Sequence, residues 1–164
     1  MIGRYCVGIG QKARRFLPED TSKPCVIGGV IFSETPGFAA DSDGDVVFHS
    51  ICNAISSISG EDILSGVAAE LCYKNGITDS EIYVEKALAS LKKSSIEHVS
   101  ICLEGKRPKI RPKSLEIRQR VSKVLEIPLE SVGLTVTSGS GLTGFGCGEG
   151  VQSFCVITIL EHRE

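Results

Sequence analysis

The chain reads as an α/β (α+β) protein of a single domain, residues 1–164, in which a mixed β-sheet carries helices on one face. Three observations lead there. Apolar residues make up 41% of the 164, enough to bury one substantial core. Segments of helical period are interspersed with strand-like apolar runs, without long linkers or repeats. The closing run, residues 151–160, alternates poorly, as a strand buried on both faces would; helices on one side and another subunit on the other would cover it.

The elements follow in order. Residues 5–10 and 25–32 read as strands, joined by a polar loop that contains Pro18 and Pro24. Ser42 is placed to cap a helix running to about residue 58. Asp43 and Asp45 fall in its first turn, where the helix dipole favours carboxylates, and Phe48, Ile51, Cys52, Ile55 and Ile58 share one face. A second helix is expected over 62–73, stopped by Asn75-Gly76. A third starts near Asp79-Ser80 and carries Ile82, Val84, Ala87, Leu88 and Leu91. Residues 96–103 read as a strand and 114–126 as a helix ending before Pro128. Strands over 132–137 and 151–160 complete the set, separated by the glycine-rich run 139–150.

Composition excludes several classes. A formal net charge of −2 does not suit bulk nucleic-acid binding or attachment to a membrane surface. No apolar run approaches the roughly 20 residues that span a bilayer. Met1-Ile2-Gly3-Arg4-Tyr5 shows no charged leader before an apolar stretch, so no signal peptide is read and a cytoplasmic location is expected. The seven cysteines, Cys6, Cys25, Cys52, Cys72, Cys102, Cys147 and Cys155, contain no Cys-x-x-Cys pair, which argues against a thiolate zinc site and a disulfide framework. Most are expected to be reduced, buried small hydrophobes. Cys147 is the exception, because a glycine-rich loop favours exposure and reactivity.

The most informative stretch is Asp41-Ser42-Asp43-Gly44-Asp45-Val46-Val47-Phe48-His49, which brings three carboxylates and a histidine onto a turn and the helical turns after it. Such a group can hold a cation or a phosphate. Plainer readings stand beside it: an inward-facing histidine is more often a hydrogen-bonded core residue, and Asp43 and Asp45 can be helix N-terminal carboxylates. Lys106, Arg107, Lys109, Arg111 and Lys113 form a basic run without interleaved aromatics, bracketed by Glu104 and Glu116, and read as a solvated loop. Gly139-Ser140-Gly141-Leu142-Thr143-Gly144 matches a dinucleotide fingerprint by letter only, since a strand follows where a helix should begin. Its backbone amides could still cradle a phosphate.

Further segments give the pattern an order. They are Gly8-Ile9-Gly10-Gln11 with Arg15-Phe16, Ser42-Asp43-Gly44-Asp45-Val46 with His49, Asp62-Ile63, Gly76-Ile77-Thr78-Asp79-Ser80, Arg107-Pro108-Lys109-Ile110, Thr137-Ser138 and Gly148-Glu149-Gly150. Taken together they resemble the 2-C-methyl-D-erythritol 2,4-cyclodiphosphate synthase family of the non-mevalonate isoprenoid pathway, over essentially the whole chain. The resemblance implies a homotrimer with its active site between neighbouring subunits and its sheets facing a central threefold cavity. It implies a phosphorus–oxygen lyase: the 2-phosphate of a cytidine-diphosphate-linked methylerythritol attacks the nearer diphosphate phosphorus, CMP leaves, and a cyclic diphosphate closes. It also implies zinc and a second cation, magnesium or manganese, clamping phosphate oxygens. Because the nucleophile is already an anion, positioning and charge neutralisation carry most of such catalysis.

Carried over residue by residue, the family's zinc ligands fall on Lys12, Arg14 and His49. Only His49 keeps a lone pair for a metal; an ammonium and a guanidinium are donors that repel a divalent ion. Asp41, Ser42, Thr137, Ser138 and Ser140 fall at the family's catalytic positions, with Ser140 where a glutamate helps to hold the second metal and Asp41 where a histidine contacts phosphate. The family's Phe-Pro-Asp-Thr-Asp segment has no counterpart between Leu64 and Tyr73, and Cys147 stands where some members place an arginine. The nucleotide pocket is better kept: Pro108, Lys109 and Ile110 match the cytidine loop, Asp62 the ribose-contacting aspartate, and Thr137 and Ser138 the diphosphate-contacting hydroxyls. The reading is therefore a homologue impaired in metal chemistry. Two alternatives stay open: a working synthase that recruits metal through Asp41, Asp43 or Glu19, and a non-catalytic trimer that binds a nucleotide or phosphate, CMP among them, or serves as a scaffold.

Overall fold

The structure is a computed structural model that describes residues 3–162. Met1 and Ile2, part of the segment read for a leader, lie outside the described residues. Strand β1 (Gly3–Arg15) sends Gly8, Gly10, Lys12 and Arg14 to one side and Tyr5, Val7 and Ile9 to the other, as a two-residue period requires. It pairs antiparallel along its whole length with the strand at the other end of the chain, Gly150–His162. That strand's far edge pairs antiparallel with Ser94–Glu104, which in turn runs parallel to Val132–Thr137.

Pro24–Ile27 and Val30–Pro36 form a separate two-stranded hairpin, so these strands are β2 and β3, and the remaining three are β4 (Ser94–Glu104), β5 (Val132–Thr137) and β6 (Gly150–His162). The main sheet has the order β1-β6-β4-β5. Its parallel pair is joined by helix Ser114–Leu125, the crossover that parallel strands need. Expected as one strand, residues 25–32 are broken at Gly28 and Gly29, whose φ values of 59° and 73° fit a tight hairpin turn.

The first helix, α1 (Val46–Ser59), lies on the inner face of the sheet, where Phe48, Ile51, Cys52 and Ile55 are buried. It starts later than the sequence suggested. Asp45, not Ser42, caps it by accepting from the N–H groups of Val47 and Phe48, while Ser42 Oγ takes the Gly44 N–H in the preceding turn. Gly60 ends it in the left-handed conformation with its N–H on Ser56 O, 2.9 Å away. The expected second helix is a π-helical turn, Ile63–Ala68, running into α2 (Ala69–Asn75) and stopped by Gly76. Asp79 caps α3 (Ser80–Ala89), which buries Tyr83, Val84 and Ala87 while Ile82 stays half-exposed. The crossover helix is α4 (Ser114–Leu125), with Ile117, Val121 and Leu125 in the core.

β6 departs from expectation. Within the chain it does alternate, burying Val151, Ser153, Cys155, Ile157 and Ile159 under the helices and leaving Phe154 and Val156 exposed. These join Tyr5, Val7 and Ile9, each more than 60% exposed, in one outward apolar face; Ile9 is directly opposite Val156 in the ladder. The cysteines are less buried than expected: Cys25, Cys52 and Cys155 are in the core, Cys6 and Cys72 are half-buried, and Cys102 joins Cys147 at the surface. Among the described residues no helix is long and apolar enough to cross a membrane.

α1 touches bare backbone. A Cβ on Gly10 would lie 2.1 Å from Ser50 O and 2.3 Å from Ala54 N, and one on Gly8 2.3 Å from Ala54 O. Gly10→Ala is expected to destabilise the fold by about 3 kcal/mol or more, because neither side of the contact is a yielding side chain. Urea unfolding measures this, and an unchanged midpoint would show that the helix does not need the bare strand.

Candidate functional site

β1 continues past Gly8 and Gly10, so the next residues on the same face, Lys12 and Arg14, emerge beside the first turn of α1, where His49 sits. All three line one cavity of about 480 Å³, closed by Ala39, Ala40, Asp41 and Ser42 on one side and by Leu64, Ala68, Ala69, Cys72, Tyr73 and Tyr83 on the other. The three positions matched to zinc ligands thus converge in space. Asp41 and Ser42 join them.

The segment carrying Asp41 and Ser42 is held by Lys23, whose ammonium donates to the carbonyls of Phe38, Ala40 and Ser42 at 3.0, 2.7 and 2.6 Å. Asp41 Oδ2 accepts from the Tyr73 hydroxyl at 2.7 Å. Behind the cavity, the Asp43 carboxylate accepts from the N–H groups of Ser80 and Asp45 and from Ser80 Oγ. Since the Ser80 hydroxyl gives its proton to Asp43, its oxygen takes the Nε2–H of His49, 2.9 Å away. That leaves His49 Nδ1 with a lone pair, buried and unpartnered. A carboxylate acting through a hydroxyl to orient an imidazole is the outer support a metal-ligating histidine uses.

Electrostatics oppose a metal here. Burial lowers the pKa of Lys12, with Arg14 adding to the effect, and burial lowers that of Arg14, partly offset by Asp41. Burial first, then the charges of Lys12 and Arg14, brings His49 down to about 3, so its imidazole is neutral. Asp45 is fully buried and accepts from the N–H groups of Gly28, Gly29, Val47 and Phe48. Burial and the neighbouring Asp43 push it up to about 7, while the backbone donors pull it back.

Zinc sites with an open position take three protein ligands. Of the residue types that ligate zinc, Asp41, His49 and Cys72 line the cavity, but among the described residues no group of three His, Cys, Asp or Glu side chains is placed to hold a metal ion. Of the substitutes considered from sequence, Asp43 is turned to Ser80 and Glu19 pairs with Arg107. The donor set does not fit the zinc that the family implies.

The remaining expected site residues lie elsewhere. Asp62 caps the π-helical turn, its carboxylate accepting from Ser65 N–H at 3.1 Å. Pro108 and Ile110 are buried and Lys109 is exposed, so Ile110 is in part a core residue. Thr137, Ser138 and Ser140 are exposed, Ser140 with φ 49°. The two loops carrying these groups are tied together: Gly105 N–H donates to Thr137 O and Lys106 N–H to Phe145 O, both at 3.0 Å. Arg14 links the regions, because it also lines a smaller cavity of about 310 Å³ against Gly144, Phe145 and Glu149. Sequence reasoning missed Lys23, Cys72 and the paired role of Ser80 with Asp43. Only long-range contacts define them, although the serine after a helix-capping aspartate was a hint.

The mixed sheet with its one-sided helices is the fold of the cyclodiphosphate synthases. The bifunctional IspDF from Campylobacter jejuni superposes with a TM-score of 0.87 at 20% identity, covering 98% of this chain and 43% of that one. A CDP complex of IspF from Plasmodium falciparum gives 0.80 at 22% identity over 97% of each. Sequence similarity goes further than fold. The YgbB family matches residues 5–160. The 2-C-methyl-D-erythritol 2,4-cyclodiphosphate synthases of Chlamydia trachomatis serovar D and Chlamydia caviae are 55% and 56% identical over 159 residues, 96% of this chain and 89% and 90% of theirs. The chain belongs to the YgbB family, that of the 2-C-methyl-D-erythritol 2,4-cyclodiphosphate synthases.

A folded-state value of about 3 for His49 lies below its ordinary 6.5, so between these the unfolded chain binds a proton that the folded one refuses. Its stabilisation is present above pH 6.5 and is lost as pH falls, at up to about 1.4 kcal/mol per pH unit. Asp45, raised to about 7, acts in the opposite sense, so the test compares proteins that share it. Urea midpoints of wild type and His49→Gln between pH 7 and 4 should converge as pH falls; parallel profiles would contradict a neutral, buried His49.

Proposed function

We propose that this chain is a cytoplasmic homotrimer of the cyclodiphosphate synthase type that retains a cytidine-nucleotide and phosphate pocket but is impaired in the metal-dependent closure of the cyclic diphosphate. One observation carries the reading: Lys12 and Arg14 converge with His49 on a single cavity, so two cations occupy the place of two zinc ligands. In the family reaction a phosphate oxygen attacks the nearer diphosphate phosphorus, a P–O bond forms, and the P–O bond to CMP breaks. The cations can neutralise ground-state phosphate charge, but they present no empty coordination site to the phosphorus oxygens in the transition state.

The other roles follow from the resemblance. Pro108, Lys109 and Ile110 would hold the cytosine and Asp62 the ribose, with Thr137 and Ser138 on the diphosphate; the complex of the Plasmodium falciparum protein with CDP supports a cytidine nucleotide as ligand. Asp41 and Ser42 would face the phosphates from the cavity wall. Ser140 stands where a glutamate would help to hold magnesium or manganese, and its exposed hydroxyl is a weak ligand for either. The outward apolar face of Tyr5, Val7, Ile9, Phe154 and Val156 supports a trimer packed sheet to sheet.

The wild-type protein is expected to release little or no CMP from 4-diphosphocytidyl-2-C-methyl-D-erythritol 2-phosphate with saturating zinc and magnesium. Lys12→Asp, Arg14→His and Ser140→Glu introduced together should raise both zinc content and CMP release. Zinc-dependent turnover by the wild type, abolished by a chelator, would establish an active synthase instead.

A further inference from the structure

We propose that the cavity between β1, α1 and α2 is a metal-independent site for a phosphoryl anion, a diphosphate or phosphate monoester held by Lys12 and Arg14 as cations fixed to the strand. The inference rests on the reading that zinc ligation has been lost, and it assigns a task to the residues that replaced the ligands. Lys12 and Arg14 occupy alternate positions on one face of β1, about 7 Å apart along the strand. Both are half-buried on the cavity wall, and neither makes an ion pair among the described residues. Arg14 Nε is buried with no acceptor. A half-buried guanidinium with no protein acceptor carries a desolvation cost that a nearby anion offsets.

The other charges near the cavity are committed. Asp43 is bound by Ser80, and the Lys23 ammonium by three backbone carbonyls. Asp41 offsets part of the Arg14 charge but is itself engaged by the Tyr73 hydroxyl. The walls therefore present an excess of positive charge, next to Leu64, Ala68 and Ala69, whose apolar surface strengthens any charge pairing. A cavity of about 480 Å³ is of small-ligand size. The Arg14 fork can take two phosphate oxygens while the Lys12 ammonium acts as a point charge, and both charges repel a divalent ion.

The test is titration calorimetry of the full-length protein with inorganic pyrophosphate in excess EDTA, repeated with CDP. Wild type should bind saturably, with zinc in place of EDTA giving no tightening. Lys12→Met and Arg14→Met should each weaken binding about 10-fold or more, whereas Lys123→Met, on the exposed side of α4, should not. The charge-keeping Lys12→Arg and Arg14→Lys should each bind more tightly than the Met variant at the same position, which separates lost charge from lost fold. Tighter binding of CDP than of pyrophosphate assigns the site to a nucleoside diphosphate; equal binding assigns it to a free diphosphate. No binding without metal, a 10-fold gain from zinc, or binding indifferent to both Met variants would overturn the proposal. These results are separate from CMP release: an active, zinc-dependent wild type would sink the impaired reading without deciding how pyrophosphate binds in EDTA.

Discussion

Everything at the site depends on the contact between α1 and the glycine backbone of β1. Gly8 and Gly10 face the helix, and Ser50 O and Ala54 N lie where their side chains would be. That close approach brings the helix's first turn, with His49, to the level of the next two inward-facing strand residues. Whatever stands at 12 and 14 must then face His49. The geometry does not depend on whether these residues bind metal, so the scaffold can survive a change of ligand chemistry.

A second constraint keeps the loop before α1 in register. Asp45, fully buried, gathers four backbone N–H groups from the β2–β3 turn and from the helix it caps, which ties hairpin to helix through one carboxylate. Asp43 binds the start of α3 and, through Ser80, orients His49. The hydrogen bonds that orient His49 are in place, while positions 12 and 14 beside it carry cations. The polar framework carries the fold as well as the site, and Ser80 and Asp43 would be retained for stability alone.

Most of the architecture was legible because its signals are local. The α1 face, the start of α3 near Asp79-Ser80, the stop at Gly76 and the strand at 132–137 follow from periodicity and turn chemistry within a few residues. The failures were also physical. The strand expected over 25–32 is instead part of a hairpin, because its Gly-Gly turn lies inside an apolar run. The cap of α1 was assigned to Ser42 because several polar residues before a helix compete for one role, and only the contact of Asp45 with Gly28 and Gly29 distinguishes them.

The sequence alone determined the family, the two classes of element and the chemical character of positions 12, 14 and 49, because ordered motifs and side-chain donor types need no coordinates. Tertiary structure decided that those three positions share one cavity, that Asp43 and Glu19 are engaged elsewhere, and that Arg14 Nε and His49 Nδ1 are buried without partners. The reason is that convergence is a property of packing: residues 12, 49 and 73 are far apart in the chain, and only the close seating of α1 on β1 and of α2 against it sets which charges face one another.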